Sequence, residues 1–378
     1  MEKFKISLID LKKEYTFLKK EIKKQINDCL KTHHWILGEK TKEFEEKVAK
    51  YLGVKYVIGV ASGTDALLLS LRALAIKIKK KEFFEKKDEI ITTPLTFIAT
   101  SEAIKRSGAT AVFVDVDPLT FNIDPKQIKK AITKNTVGIL VVHLYGLPCF
   151  MDQILKSAKE NNLFVVEDCA QSFGAEYKGK KVGSWADFGA FSFFPSKNLG
   201  AYGDAGLITT NDAKLNELVR ILRNHGQRKQ YNAQILGYNS RLDNFQAAIL
   251  LAKLKYVDEF NKKRREIAYR YSRALKSIKS IQVPFEPKDA YHVYHLYTIK
   301  LSSKRNQLLN YLNKKGIQAR IYYPISLDKM KPFKSSKTLN FKNTPKILPS
   351  ILSLPIHPFL KENEVKYVVK EIKNFYHF

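Results

Sequence analysis

The stretches "VGILVVHLY" (residues 137–145) and "LFVVEDCAQS" (163–172) are apolar on both alternating sides until each runs into polar residues. A strand with no polar face is covered on both sides, which is characteristic of parallel sheets flanked by helices. Similar runs occur at "YVIGV" (56–60), "EIITT" (89–93), "TAVFVDV" (110–116), "FGAFSF" (188–193) and "AGLITT" (205–210), and helix-like segments separate the early ones. The pattern predicts a large α/β domain around a mainly parallel seven-stranded sheet.

Around this frame, apolar Ile9, Leu11, Tyr15, Leu18, Ile22 and Ile26 predict an N-terminal helix, and a second helix is expected at about 40–52. After Asp243 a long helical region, 245–275, carries the chain out of the large domain. The remainder, with strand-like "YHLYTIKL" and helix-like "RNQLLNYLNKKG" and "ENEVKYVVKEIKNF", reads as a smaller α+β domain. We therefore expect residues 1–255 to hold the N-terminal helices and large domain, and 256–378 the connecting helix and small C-terminal domain.

The chain has 66 basic and 37 acidic residues, a net charge of +29. Such a field attracts nucleic acid or anionic surfaces. The lysines are spread over most helical faces, however, with no zinc-finger, RRM-like or KH-like signature, so they read as solvated surface and no nucleic-acid partner is expected. Cys29, Cys149 and Cys169 form no CxxC pair, and no secretory leader is visible, which points to a reduced, cytoplasmic setting. No apolar run is long enough for a membrane span. The charged excursion "IKIKKKEFFEKKDE" (76–89) reads as a surface loop or helix extension.

In open α/β sheets, ligands gather beyond the carboxyl ends of the strands. Four places qualify. In "ASGTDAL" (61–67) a strand meets a helix start at Gly63 and Thr64, where backbone N–H groups favour an anion; a plain cap by Thr64 or Asp65 explains the residues equally well. Asp168 ends a strand and could hold a cationic partner, with Gln171 one turn on; it could equally be a plain capping carboxylate. A metal would require more ligands nearby, and no compact His/Cys/Asp cluster is apparent. In "FSFFPSKNLGAYGDAG" (191–206), Lys197 follows an aromatic strand containing Ser192 and precedes a glycine-rich run. An amine attacks carbonyls only when its protonation is suppressed, which aromatic surroundings favour, although a solvated lysine is the simpler reading. In "GYNSRLDNFQAA" (237–248), Arg241 could clamp a phosphate or carboxylate, or bridge within the fold.

Taken in order, these pieces, together with "ILGEKTKEFEEKVAKYLG", "PLTFIAT", "VFVDVDPLTFNID" and "SLPIHP", resemble the sugar-nucleotide aminotransferases of the DegT/DnrJ/EryC1 family, from about Ile9 to Ile372. The resemblance implies a fold of the aspartate-aminotransferase type (fold type I) and the cofactor pyridoxal 5′-phosphate (PLP), cycling with pyridoxamine 5′-phosphate. It implies that Lys197 is the Schiff-base residue and proton shuttle, that Asp168 pairs with the pyridine nitrogen, and that Gln171 approaches the ring hydroxyl. Gly63, Thr64 and Ser192 would bind the phosphate, Asn239 would reach in from the other subunit of a homodimer with shared sites, and Phe97 would stack on the ring. Arg241, His225 and Tyr323 are then expected at the substrate.

The resemblance further implies an amino donor, L-glutamate, and a nucleotide-linked keto sugar as acceptor, in the supply of cell-surface polysaccharide precursors. The motifs are closest to the branch acting at carbon 3 of UDP-linked 2-acetamido-3-keto sugars; TDP-linked 3-keto enzymes share "NSRLD". Action at carbon 4, or a regulatory role with bound cofactor, is a more distant reading of the same motifs. This chain departs from the family at Tyr322, Tyr323 and Pro324, where many members carry a His-Tyr-Pro triplet, which places a sugar contact in doubt.

Overall fold

The computed structural model describes residues 4–377. The seven expected strands form as β1 (Tyr56–Val60), β2 (Glu89–Thr92), β3 (Thr110–Phe113), β4 (Thr136–Val142), β5 (Phe164–Asp168), β6 (Phe188–Ser192) and β7 (Gly206–Thr210). They lie in the order β1-β7-β6-β5-β4-β2-β3. Only β7 runs antiparallel to its neighbours, β1 and β6. A two-residue strand, Lys337–Thr338, adds itself in parallel beside β3, so the sheet gains an eighth member from the far end of the chain.

The lack of a polar face on the central strands has the expected cause. Leu140 and Val142 of β4 enter one core with Phe164 and Val166 of β5, while Ile139 and Val141 enter the opposite one with Val165. The first face is covered by α3 (Gly63–Leu74), whose Leu67 and Leu71 are buried, and the second by helices Pro125–Ala131 and Met151–Glu160. Of the helices that precede α3, α1 (Leu11–Thr32) buries Leu18, Ile22 and Cys29 but leaves Leu11 and Tyr15 exposed, and α2 (Glu39–Leu52) buries Phe44 and Val48.

The helical region after Asp243 is two helices rather than one, Asn244–Leu254 and Val257–Leu275. They are separated at Lys255 and Tyr256, where the Tyr256 N–H donates at 2.9 Å to the Lys253 carbonyl, three residues back rather than four. Beyond this break, a second core gathers Tyr271, Tyr297, Leu308, Leu312, Leu354, Val368 and Ile372, and takes in Ile6 from the start of the chain. In the other direction Phe333, Ile347 and Ile351 pack into the core of the large sheet.

The basic excursion begins as a π-helical turn, Ala75–Lys79, extending α3. Part of its charge is satisfied within the segment: Lys79 pairs with Asp88 at 2.8 Å, Lys87 with Glu85 at 2.8 Å, and Lys81 also with Glu85, while Lys77 pairs with Asp212 outside it. Arg72 is fully buried beneath it, its guanidinium 3.6 Å from the Phe83 ring centre. All three cysteines are free and buried. Among the described residues no helix is long and apolar enough to cross a membrane.

Candidate active site

The carboxyl ends of β1, β5 and β6 open onto a cavity of about 490 Å³. Gly63, Thr64, Phe97, Asp168, Gln171, Ser192, Lys197 and Tyr323 all line it. Residues scattered over some 260 positions are thus brought to one place by the strand order.

The start of α3 forms part of the cavity wall. Its cap is Ser62, whose Oγ accepts the Asp65 N–H at 3.1 Å, rather than Thr64 or Asp65. Asp65 instead accepts the Ser240 hydroxyl at 2.8 Å. A Cβ on Gly63 would lie 2.6 Å from the Ser192 Cβ, so the end of β6 and the start of α3 approach to a distance that only glycine permits. The result is a helix N-terminus flanked by the hydroxyls of Ser62, Thr64 and Ser192, a setting suited to a phosphate.

Asp168, also in the cavity lining, is buried at the tip of β5. Its Oδ1 accepts the Ala170 N–H at 3.1 Å and its Oδ2 the Thr100 hydroxyl at 2.8 Å. Burial pushes its carboxyl up, while those two donors, Lys197 and His143 pull it down; the net direction is upward. A carboxylate held in so desolvated a place calls for a cationic partner. Lys197 keeps some surface in the cavity but is ringed by protein, and burial brings its amine down to about 8 against the opposing pull of Asp168.

Gln171 is fixed on both sides of its amide. Its Oε1 accepts the Tyr145 N–H at 2.7 Å and its Nε2 donates to the Tyr323 hydroxyl at 3.0 Å. Phe97, just ahead of α4 (Ile98–Arg106), is 55% exposed, an unusual state for a phenylalanine, and its ring centre is 6.2 Å from that of Tyr323. It offers a flat apolar face that an aromatic ring could cover.

Three expected residues lie outside the lining of this cavity. His225 and Asn239 are exposed, the latter bridged to Asn224, and Arg241 donates to the Asn224 Oδ1 at 3.2 Å. Several residues that the sequence did not single out do line or support the site. Ser62 had a detectable signal, since Ser62 and Asp65 show a capping spacing. Thr100, one turn into α4, and His295, in the segment before the strand Tyr297–Leu301, had none; only the tertiary fold places them beside Asp168 and in the cavity.

The compact cluster not apparent in the sequence does exist. His143, Glu167 and Cys169 bring ligand atoms within 4.8 Å of one another, fully enclosed behind Asp168. The ligand atoms of His143 and Glu167 are already engaged. His143 Nδ1 accepts the Cys149 N–H and its Nε2 meets Glu167 at 3.0 Å, while Glu167 also accepts the N–H groups of Gly183, Trp185 and Ala186. The cluster is a hydrogen-bonded brace for the end of β5.

A phosphate cradle, a cation-seeking carboxylate, an exposed ring and a lysine of suppressed basicity lining one cavity fit PLP. The DegT/DnrJ/EryC1/StrS aminotransferase family matches residues 16–373. Among curated relatives, a dTDP-3-amino-3,6-dideoxy-alpha-D-galactopyranose transaminase of Aneurinibacillus thermoaerophilus is 44% identical over 98% of this chain and 99% of its own. A UDP-N-acetyl-3-dehydro-alpha-D-glucosamine 3-aminotransferase of Acidithiobacillus ferrooxidans is 41% identical, and a pleiotropic regulatory protein of Geobacillus stearothermophilus 42%, each over 98% of both chains. The solved structure of ntda from Bacillus subtilis with bound cofactor PMP superposes with a TM-score of 0.85 at 33% identity, over 96% of this chain and 83% of that one. On the near full-length family match and the relatives' identities, the chain belongs to the DegT/DnrJ/EryC1/StrS aminotransferase family and is a PLP-dependent sugar-nucleotide transaminase.

Proposed function

We propose that this enzyme moves the amino group of L-glutamate to carbon 3 of a UDP-linked 2-acetamido-3-keto hexose or hexuronic acid, acting in the cytoplasm as a homodimer with shared sites. The observation that carries the transaminase chemistry is the half-buried Lys197, its amine lowered to about 8, in one cavity with Asp168 and the α3 N-terminus. Carbon 3 is supported by the names of two relatives, one acting on a UDP-linked and one on a dTDP-linked sugar. A TDP-linked 3-keto-6-deoxyhexose is the second reading, favoured by the 44% identical relative.

When bound, PLP supplies an electron sink that acidifies the carbon bearing the amino group. The chain's own residues do the rest. With an amine near 8, roughly a tenth of Lys197 is unprotonated at neutral pH, against well under a hundredth for an exposed lysine. Its Nζ can therefore take the proton from that carbon and return it. Asp168, oriented by Ala170 and Thr100, holds a proton on the ring nitrogen by charge pairing. Ser62, Gly63, Thr64 and Ser192 hold the phosphate, the Tyr145–Gln171–Tyr323 chain braces the ring edge, and Phe97 covers one face and excludes water. The exposure of Asn239 outside its own chain's cavity supports its reaching a second subunit's site.

The test is incubation of the cofactor-loaded protein with glutamate and a panel of UDP- and TDP-linked 3-keto and 4-keto sugars, with aminated products followed by mass. We expect amination of the UDP-linked 3-keto sugar. Product from 4-keto sugars alone would overturn the carbon 3 assignment. A protein that binds the cofactor but aminates nothing would instead match the role named for the regulatory relative.

A further inference from the structure

His295 lines the cavity and is half-buried there. Behind it runs a buried relay of two amides. The Asn261 Nδ2 donates to the Phe173 carbonyl at 3.0 Å, which leaves its Oδ1 to accept from the Asn198 Nδ2 at 2.8 Å. The same Asn198 Nδ2 donates to the Val293 carbonyl at 3.0 Å. Both backbone partners are carbonyls and can only accept, so neither amide can be turned round without setting oxygen against oxygen. The Asn198 Oδ1 is thereby committed as an acceptor, and it lies 3.1 Å from His295 Nδ1. That nitrogen must carry a proton.

In a neutral imidazole the other nitrogen is then bare. The charged groups acting on the ring are Lys197 and Arg264, both cationic, and together with burial they oppose a second proton. Nε2 has no partner among the described residues and is not sealed in the protein interior.

We propose that the Asn261–Asn198 relay fixes His295 as a neutral, Nδ1-protonated imidazole whose Nε2 lone pair is presented to the cavity, near Lys197, as the acceptor for an N–H or O–H donor of the substrate. The donor is the ammonium of the amino acid or a hydroxyl of the sugar, and the substrate part rests on the transaminase reading above. Asn198 and Asn261 are positioning residues in this scheme. His295 is the group that touches substrate.

The first readout is independent of turnover. In full-length protein labelled with ¹⁵N-histidine, without cofactor, long-range ¹H–¹⁵N spectra should show His295 as the neutral Nδ1–H tautomer, unchanged from about pH 6 to about pH 9. The His295→Gln spectrum identifies the signal by its loss. An Nε2–H tautomer or an imidazolium at neutral pH overturns the proposal. The second readout uses cofactor-loaded protein and separates the two half-reactions, glutamate followed by cofactor absorbance and keto sugar by product mass. His295→Phe should lower kcat/KM about tenfold in one of them, the contribution of one hydrogen bond, with cofactor affinity unchanged. His295→Gln, which keeps an acceptor near the Nε2 position, should recover most of the loss. A fall confined to the glutamate arm assigns the ammonium, and one confined to the sugar arm assigns a hydroxyl. Unchanged values in both arms overturn the substrate role. If wild-type protein aminates no sugar, the functional reading fails, while the tautomer and the glutamate arm still decide this one.

Discussion

Thr100→Val tests whether Asp168 is tuned from the α4 side. The hydroxyl has one proton and donates it to the Asp168 Oδ2 at 2.8 Å, so the Thr96 hydroxyl, 3.0 Å away, must donate to it in turn. Valine keeps the shape and removes both links. A hydrogen bond to a charged group contributes about 1.5–3 kcal/mol. Its loss raises the Asp168 carboxyl further above its already elevated position, because burial is then opposed by one donor fewer. The carboxylate then pairs less well with a protonated ring nitrogen, and PLP affinity should fall about 10- to 100-fold. The assay is titration of the cofactor-free protein with PLP, followed by absorbance across pH, with Thr100→Ser as the restoring variant. Unchanged affinity and pH profile in the valine variant would refute the reasoning. A loss that serine fails to restore would mean that packing, not the hydroxyl, is responsible.

Two further outcomes follow from the same geometry. Lys197 binds its proton less well folded, at about 8, than unfolded, at 10.5, so the cofactor-free protein is penalised below about pH 8 and recovers as pH rises towards 10.5. Lys197→Met should therefore be more stable to urea at neutral pH by about 1–3 kcal/mol, with the gain vanishing above pH 10.5; a pH-independent difference would exclude this origin. Gly63→Ala places a Cβ 2.6 Å from the Ser192 Cβ, where carbon atoms normally stay about 3.5–4.0 Å apart. The start of α3 must shift, and we expect a stability loss of about 1–3 kcal/mol together with weaker PLP binding; unimpaired cofactor affinity would show that the phosphate does not bind there.

Much of the site was legible because it depends on strand ends. Asp168, Ser192 and Gly63 each sit where an apolar run stops, and a sheet whose central strands are parallel gathers such stops along one edge. Lys197 could not be separated from the many other lysines by composition, and its distinction is burial beside Asp168. Thr100, Asn198, Asn261 and His295 left no trace because a hydrogen-bond partner 60 or more positions away has no local pattern. His225 and Arg241 looked equally polar and loop-borne, but their segment packs around Asn224 and away from the cavity lining. The basic excursion reads in the sequence as a surface loop or helix extension, and the structure shows that it begins as a π-helical extension of α3 and that its Lys79, Lys81 and Lys87 pair with Asp88 and Glu85.

Hydrophobic period and turn chemistry, which are local, determined by themselves that this chain builds a covered, mainly parallel sheet with reactive groups at its strand ends. The antiparallel insertion of β7, the added strand from 337–338 and the break at Tyr256 were decided by tertiary packing. So were the basicity of Lys197, set by desolvation, and the proton position on His295, set by two amides locked against backbone carbonyls. These properties depend on which atoms surround a group, and a linear pattern does not specify neighbours across the chain.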